Sequence, residues 1–293
     1  MTIELGLLGA YLTTAEATAA DAVTLEEAGY GAIWLAASPP ADLRQAERLL
    51  DATSRIVVGT SVLNVWQTDA GTVADAYHRI AEKHAGRLLV GIGAGHRETD
   101  AGYTSPVAKV ESYLDRLHAA GVPAGRVLLA ALGPRMLRLA AERAAGTLTL
   151  QVTPEHTRRA REALGSGKLV IPGHGVVPDT DTERARETGR AGLRPILGIS
   201  SYAANLRRIG YTDEELTDPF SNRLLDALVL HGDEPAIAAG VRAELAAGAN
   251  HVGLHAVGTD PIASLRSIAH VFLGGERVAA PAPAPVGDRS TAR

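Results

Sequence analysis

Short apolar runs alternate with helix-like stretches along almost the whole chain, and no other feature limits the possible folds so sharply. Strand-like segments are read at 3–9 (IELGLLG), 32–37 (AIWLAA), 55–63 (RIVVGTSVL), 87–93 (RLLVGIG), 126–132 (RVLLAAL), 147–152 (TLTLQV), 168–177 (KLVIPGHGVV) and 251–257 (HVGLHAV). Each is trailed by a helical pattern, the first running from Thr14 to Ala28 and stopping at Gly29. Pro172, Gly173 and Gly175 interrupt the seventh run, which makes it the weakest strand by pattern. Between it and the last run the chain offers only helical patterns, SYAANLRRIG, SNRLLDALVLHG and DEPAIAAGVRAELAAG. Eight strands with outer helices in 293 residues predict an α/β fold, a (β/α)8 TIM barrel over 1–275 with a helical insertion at about 179–248 before the last strand. A doubly wound sheet is the competing arrangement. The Pro/Ala-rich tail, 276–293, has little to bury and is expected to be disordered.

Composition removes several function classes. A net charge of -4 gives no broad attraction to nucleic acid or to an anionic membrane. Without cysteine, disulfides, thiolate metal sites and cysteine nucleophiles are excluded. The N-terminus lacks the pattern of a cleavable signal and no run suits a membrane span, so a cytoplasmic location is expected. Only 4% of residues are aromatic, which leaves the core to Leu, Val, Ile and abundant Ala.

In a barrel of this kind chemistry sits at the C-terminal ends of the strands. The residues expected there are mostly small: Gly9, Ala10, Ala37, Ser38, Ser61, Val62, Asn64, and the Ala94–Glu98 loop, followed by Gly133, Gln151, Thr153 and His255. Glu98 is the one acidic residue among them, too few for a carboxylate pair or a metal set. None of the three lysines, Lys83, Lys109 and Lys168, falls at a strand end of the mouth, which argues against a Schiff base. GIGAGH (91–96) lacks the last glycine and the adjoining helix of a dinucleotide fingerprint, and GSGK (165–168) lacks the rest of a phosphate loop. His251 and His255, four apart on a strand, would stand about 13 Å from each other, too far for one metal. His251 reads as structural and His255 is open between a structural and a mouth role. A rim so poor in titratable groups suits a bulky cofactor that carries the reaction itself.

Four segments together, RIVVGTSVLNVW (55–66), RLLVGIGAGHRE (87–98), LLAALGPRMLRLAAERAAG (128–146) and NHVGLHAVGTD (250–260), resemble the bacterial-luciferase-like superfamily, and within it the coenzyme F420-dependent oxidoreductase branch. The resemblance spans about residues 3–273. It implies a non-prolyl cis peptide between Ser61 and Val62 behind the deazaflavin ring, with Asn64 near the ring edge. Ala94, Gly95 and His96 would follow the ring and ribityl chain, and Leu132, Gly133, Pro134, Arg135 and Met136 would meet the phosphate end. A helix N-terminus at Pro134 favours that last placement on physical grounds as well. Arg97 and Arg138 would extend a basic edge toward an oligoglutamate tail, although Arg135 and Arg138 also read as ordinary exposed helix arginines.

The chain departs from alcohol-oxidising relatives, which carry an Asp-His pair where Ala37 and Ser38 stand here and an acidic residue at the His96 position. His96 is therefore the candidate acid or base, or a structural residue hydrogen-bonding the cofactor. The implied function is F420-dependent hydride exchange with a small organic substrate. An FMN-dependent monooxygenase and a deazaflavin-binding protein without turnover are the alternatives. Relatives imply a homodimer. Trp34, Trp66 and Tyr103 are read as candidate walls of a hydrophobic substrate cavity, with core packing an equal alternative for Trp34.

Overall fold

A computed structural model describes residues 3–100 and 102–279. The chain runs through β1 (Leu8–Thr13), α1 (Ala19–Ala28), β2 (Ala32–Ala36), α2 (Arg44–Ala52), β3 (Val57–Ser61), β4 (Leu63–Asn64), α3 (Ala70–Lys83) and β5 (Leu88–Gly93). It continues through α4 (Pro106–Ala119), β6 (Val127–Ala130), α5 (Pro134–Arg143), β7 (Gly146–Leu150), α6 (Pro154–Leu164), β8 (Leu169–Val177), α7 (Thr182–Leu197) and α8 (Ser200–Arg208). The last elements are α9 (Asn222–Leu228), β9 (Val229–His231), α10 (Glu234–Ala246), β10 (Val252–Ala256) and α11 (Pro261–Ala279). Every strand pairing is parallel, in the order β10-β1-β2-β3-β5-β6-β7-β8, and β10 pairs back onto β8 from Gly253↔Gly173 to Ala256↔Val176. The sheet is thus a closed eight-stranded barrel inside a layer of helices, with β3 and β4 forming one interrupted barrel strand. Among the described residues no helix is long and apolar enough to cross a membrane.

The strand boundaries differ from the sequence reading in two places. β1 lies at 8–13 rather than 3–9, because Gly6 takes a left-handed backbone (φ 62°) that breaks the extended run. Gly9 and Ala10 are accordingly buried inside the barrel wall rather than at its mouth. The helical pattern SNRLLDALVLHG also contains a strand: α9 stops at Leu228, and Val229–His231 pairs with the end of β8. The interrupted seventh run is the longest strand of all, nine residues, with Pro172 opposite Thr149. Helix starts follow local chemistry: α1 opens at Thr18, which forms a reciprocal capping box with Asp21, and ends at Gly29 (φ 96°). Of the expected tail, residues up to Ala279 continue the backbone of α11 and the remainder lies outside the described residues.

Alternation along the strands sorts side chains into two cores. Leu8, Ala10, Leu12, Ile33, Leu35, Val58 and Val90 point outward into the layer beneath the helices. Tyr11, Trp34, Val57, Leu89, Leu128, Leu148 and Ile171 fill the lumen. The two lumen aromatics are accommodated by missing side chains: a Cβ on Gly59 would lie 2.3 Å from Trp34, and one on Gly253 would lie 2.1 Å from Tyr11. Trp34, fully buried, donates its indole N–H to His251 Nε2 (3.1 Å), and His251 Nδ1 donates to the Gly6 carbonyl (3.0 Å). Burial pulls the His251 imidazole down to about 4, so it is neutral and structural. Trp34 therefore belongs to the core. Replacing Trp34 by Ala should cost roughly 3–5 kcal/mol, read as a lowered denaturant midpoint.

Candidate functional site

The lumen changes character toward the C-terminal ends of the strands. One interior position above Trp34, Leu128 and the other large lumen residues, the inward side chains shrink to Ser61, Gly93 and Ala130. The barrel is not filled there, and a cavity of about 840 Å³ opens, within the range of small-molecule sites. Strand ends of the barrel mouth form its floor, and α8 contributes Ser201, Tyr202 and Arg208 to its opposite wall.

The cavity gathers residues that the sequence singled out from three separate segments. Ser61, Val62 and Asn64 line it, as do Ala94, Gly95 and His96. Leu132, Gly133, Pro134, Arg135 and Met136 line it as well, and so do Ala37 and Ser38. The peptide bond between Ser61 and Val62 is cis. Val62 presses against Gly93, where a Cβ would fall 2.6 Å from Val62 Cγ2, and the Val62 carbonyl accepts from Ser38 Oγ at 3.2 Å. Other candidates are not brought in. Arg97 is outside the lining, its guanidinium 5.8 Å over the Tyr103 ring. Arg138 is exposed on α5. His255 approaches the Tyr11 carbonyl through Nδ1 (3.3 Å) and does not line the cavity. Of the aromatics, Tyr103 lines the cavity, whereas Trp66 sits behind the loop and donates to the Ala94 carbonyl (2.6 Å).

The loop between β5 and α4 is tied by a residue that sequence reasoning missed. Asp100, 7% exposed, accepts the His96 N–H (2.7 Å), the Asn64 amide (2.7 Å), the Gln67 amide (2.9 Å) and the Thr99 hydroxyl (3.3 Å). Burial opposes ionisation of this carboxyl, but the donors outweigh it and hold it below the usual carboxylate range. Gly95 (φ 60°) is required beside it, since a Cβ would fall 2.1 Å from Asp100 Oδ2. Asn64 is held at both ends, because its Oδ1 also accepts the Trp66 N–H (2.9 Å). Nothing in the sequence joins Asp100 to Asn64 and Gln67, 36 and 33 residues away, until the barrel closes. The His96 ring has no hydrogen-bond partner among the described residues and lies 5.9 Å from the Tyr202 ring. Its burial lowers the imidazole below the ordinary value, against the opposing pull of Glu98 and Asp100, so it is neutral at pH 7.

At the far side, α5 starts at Gly133 with no side-chain cap and with Pro134 in its first turn. The Arg135 and Met136 N–H groups, too near the start for intrahelical partners, face the cavity end with the positive end of the helix dipole. Among the described residues Arg135 forms no ion pair, and the Arg208 guanidinium hydrogen-bonds only the Leu132 carbonyl (3.4 Å) and Asn205 Oδ1 (3.1 Å). Two guanidinium groups without carboxylate partners therefore border one end of the cavity.

Asp100→Asn should cost roughly 1–3 kcal/mol at pH 7, because an amide now faces the Asn64 and Gln67 amides. The folded-state value of Asp100 is lowered, so the stabilisation is present above about pH 4 and is lost as pH falls through that lowered value. Denaturant melts of both proteins should diverge at neutral pH and converge in acid.

Residues 5–120 match the luciferase-like monooxygenase family. No curated protein sequence gives a significant match. Among solved structures, an F420-dependent secondary alcohol dehydrogenase in complex with an F420-acetone adduct superposes with a TM-score of 0.69 at 14% identity, over 90% of this chain and 97% of that one. EDTA monooxygenase from Chelativorans sp. BNC1 gives 0.72 at 13% identity, over 93% and 94%. The oxygenating constituent of 3,6-diketocamphane monooxygenase from Pseudomonas putida, in complex with FMN, gives 0.61 at 16% identity, over 86% and 90%. At these identities the structures establish the shared barrel. The luciferase-like resemblance read from the sequence is met by the family match over residues 5–120.

Proposed function

We propose that this chain is an oxidoreductase that binds coenzyme F420 in the barrel mouth and exchanges hydride between it and a small organic substrate. The observation that carries this reading is the shape and charge of the cavity: an open volume of about 840 Å³ over Val62, ending at the uncapped start of α5 between Arg135 and Arg208. A Cβ at Gly133 would meet nothing within 4 Å, so the turn leaves room for a phosphate to approach the backbone. The ring end is bordered by Ser61, Val62, Gly93 and Ala94, and offers no charge that would oppose a planar heterocycle.

When bound, the deazaflavin supplies the two-electron chemistry, and the protein supplies orientation and a dry pocket. Val62 and Gly93 present apolar surface to the cavity. Asp100 fixes the backbone of His96, whose neutral imidazole is available at pH 7 to hold or accept a proton at the cavity wall. Ala37 and Ser38 put no acid or base at the end of β2, which leaves His96 as the residue for that task.

FMN is the second reading. It is favoured by the monooxygenase family match and by the FMN complex among the structural neighbours, and its phosphate would suit the same end of the cavity. Fluorescence titrations with each cofactor separate the two. Micromolar or tighter binding of F420, with weaker binding of FMN, is the expected result, and preference for FMN overturns the assignment. Arg135→Ala should weaken the preferred cofactor by about tenfold or more, the loss of one charge-assisted contact, with no change in thermal midpoint.

A further inference from the structure

Helix α8 contributes to the cavity wall, and its three anchors connect the two loops that border it. It begins without a cap of its own, since Ile199 at the N-cap position makes no side-chain bond. The Ser200 N–H is taken instead by Glu98 Oε1 at 3.0 Å, from a loop 102 residues earlier. A carboxylate there both satisfies an orphan donor and meets the positive end of the helix dipole. Two residues on, the Tyr202 ring lies 5.9 Å from that of His96, tilted by 49°, and His96 belongs to the same loop that supplies Glu98. At the last turn Arg208 reaches the Leu132 carbonyl of the loop before α5, while the Arg208 carbonyl accepts from Arg159 (3.0 Å). The underside of the helix is fixed by buried Asn205 and Leu206. Glu98 does not itself line the cavity, and its hydrogen bond goes to the start of α8.

We propose that Glu98 is a positioning residue: by capping α8 from the facing loop it holds Tyr202 as the wall that confines a planar ligand against the barrel mouth. The first half is independent of ligand identity, and the second rests on the cofactor reading above. Weakening the cap lets the first turn of α8 fray, Tyr202 withdraws, and bound ligand leaves faster. Glu98→Gln retains an oxygen that accepts the Ser200 N–H, whereas Glu98→Ala does not.

The test combines hydrogen exchange of the α8 amides in the ligand-free protein with stopped-flow dissociation of F420 and, separately, of FMN. Glu98→Ala should raise exchange across the first turn of α8 and speed release by about tenfold, the scale of a lost helix cap. Glu98→Gln should restore most of both effects. Tyr202→Ala should also speed release, and Glu98→Ala combined with Tyr202→Ala should release no faster than the faster single variant, because both act through one wall. Unchanged α8 exchange in Glu98→Ala, unchanged release, or additive effects of the two substitutions would each overturn the proposal. If neither cofactor binds the parent protein, the cofactor reading fails and the confinement role fails with it. The exchange comparison of Glu98→Ala with Glu98→Gln still decides the capping role.

Discussion

A size gradient inside the barrel governs the rest of the structure. Strands alternate their side chains, so each contributes every second residue to the lumen, and the widest of these, Trp34 and Tyr11, lie in its lower layers. They fit because Gly9, Gly59, Gly173 and Gly253 carry no Cβ where the rings lie. Above them the inward residues become Ser61, Gly93 and Ala130, and space opens rather than closing. Protein interiors pack at nearly crystalline density, so an open volume bordered by ordered strand ends is a place made for something else. The aromatics serve the core, and the mouth is left to small residues.

The hydrogen bonds at the mouth keep that opening in one shape. Asp100 gathers Asn64 from the end of β4, Gln67 from the stretch after it and the His96 backbone from the loop after β5, so these segments form one tied rim. Opposite, the start of α5 leaves donors unpaired, and among the described residues the nearby guanidinium groups of Arg135 and Arg208 have no carboxylate partner. The division is physical: the Asp100 carboxylate and the groups it holds are satisfied within the protein, while the start of α5 offers donors that nothing among the described residues takes up.

Much of the fold was legible because β/α alternation is a local signal. All eight barrel strands were visible as apolar runs, and even the Pro- and Gly-broken run at 168–177 proved to be a strand, because its glycines face Tyr11 and Gln151 rather than ending it. The errors have local causes. Gly6 displaced the first strand, and Val229–His231 was hidden because a three-residue apolar stretch following a helix carries no period of its own. The residues around Val62, His96 and Gly133 were legible through family resemblance and through helix-start chemistry. Asp100, Tyr202 and Arg208 were not, since their roles arise from contacts between segments tens to more than a hundred residues apart. Arg97 follows His96 directly in the chain, yet its side chain turns toward Tyr103, a direction that sequence position cannot supply.

The claim beneath this account is that the hollow above Trp34 exists to hold a planar cofactor. Ala130 borders the hollow, and a larger side chain there would enter it rather than the packed core. The most direct measurement is therefore the affinity of Ala130→Leu for F420 and FMN, alongside its thermal midpoint. The account predicts that binding of the preferred cofactor falls about tenfold to 100-fold while the midpoint holds, the scale of an overpacked site. Undiminished affinity in a variant whose hollow is filled would contradict it.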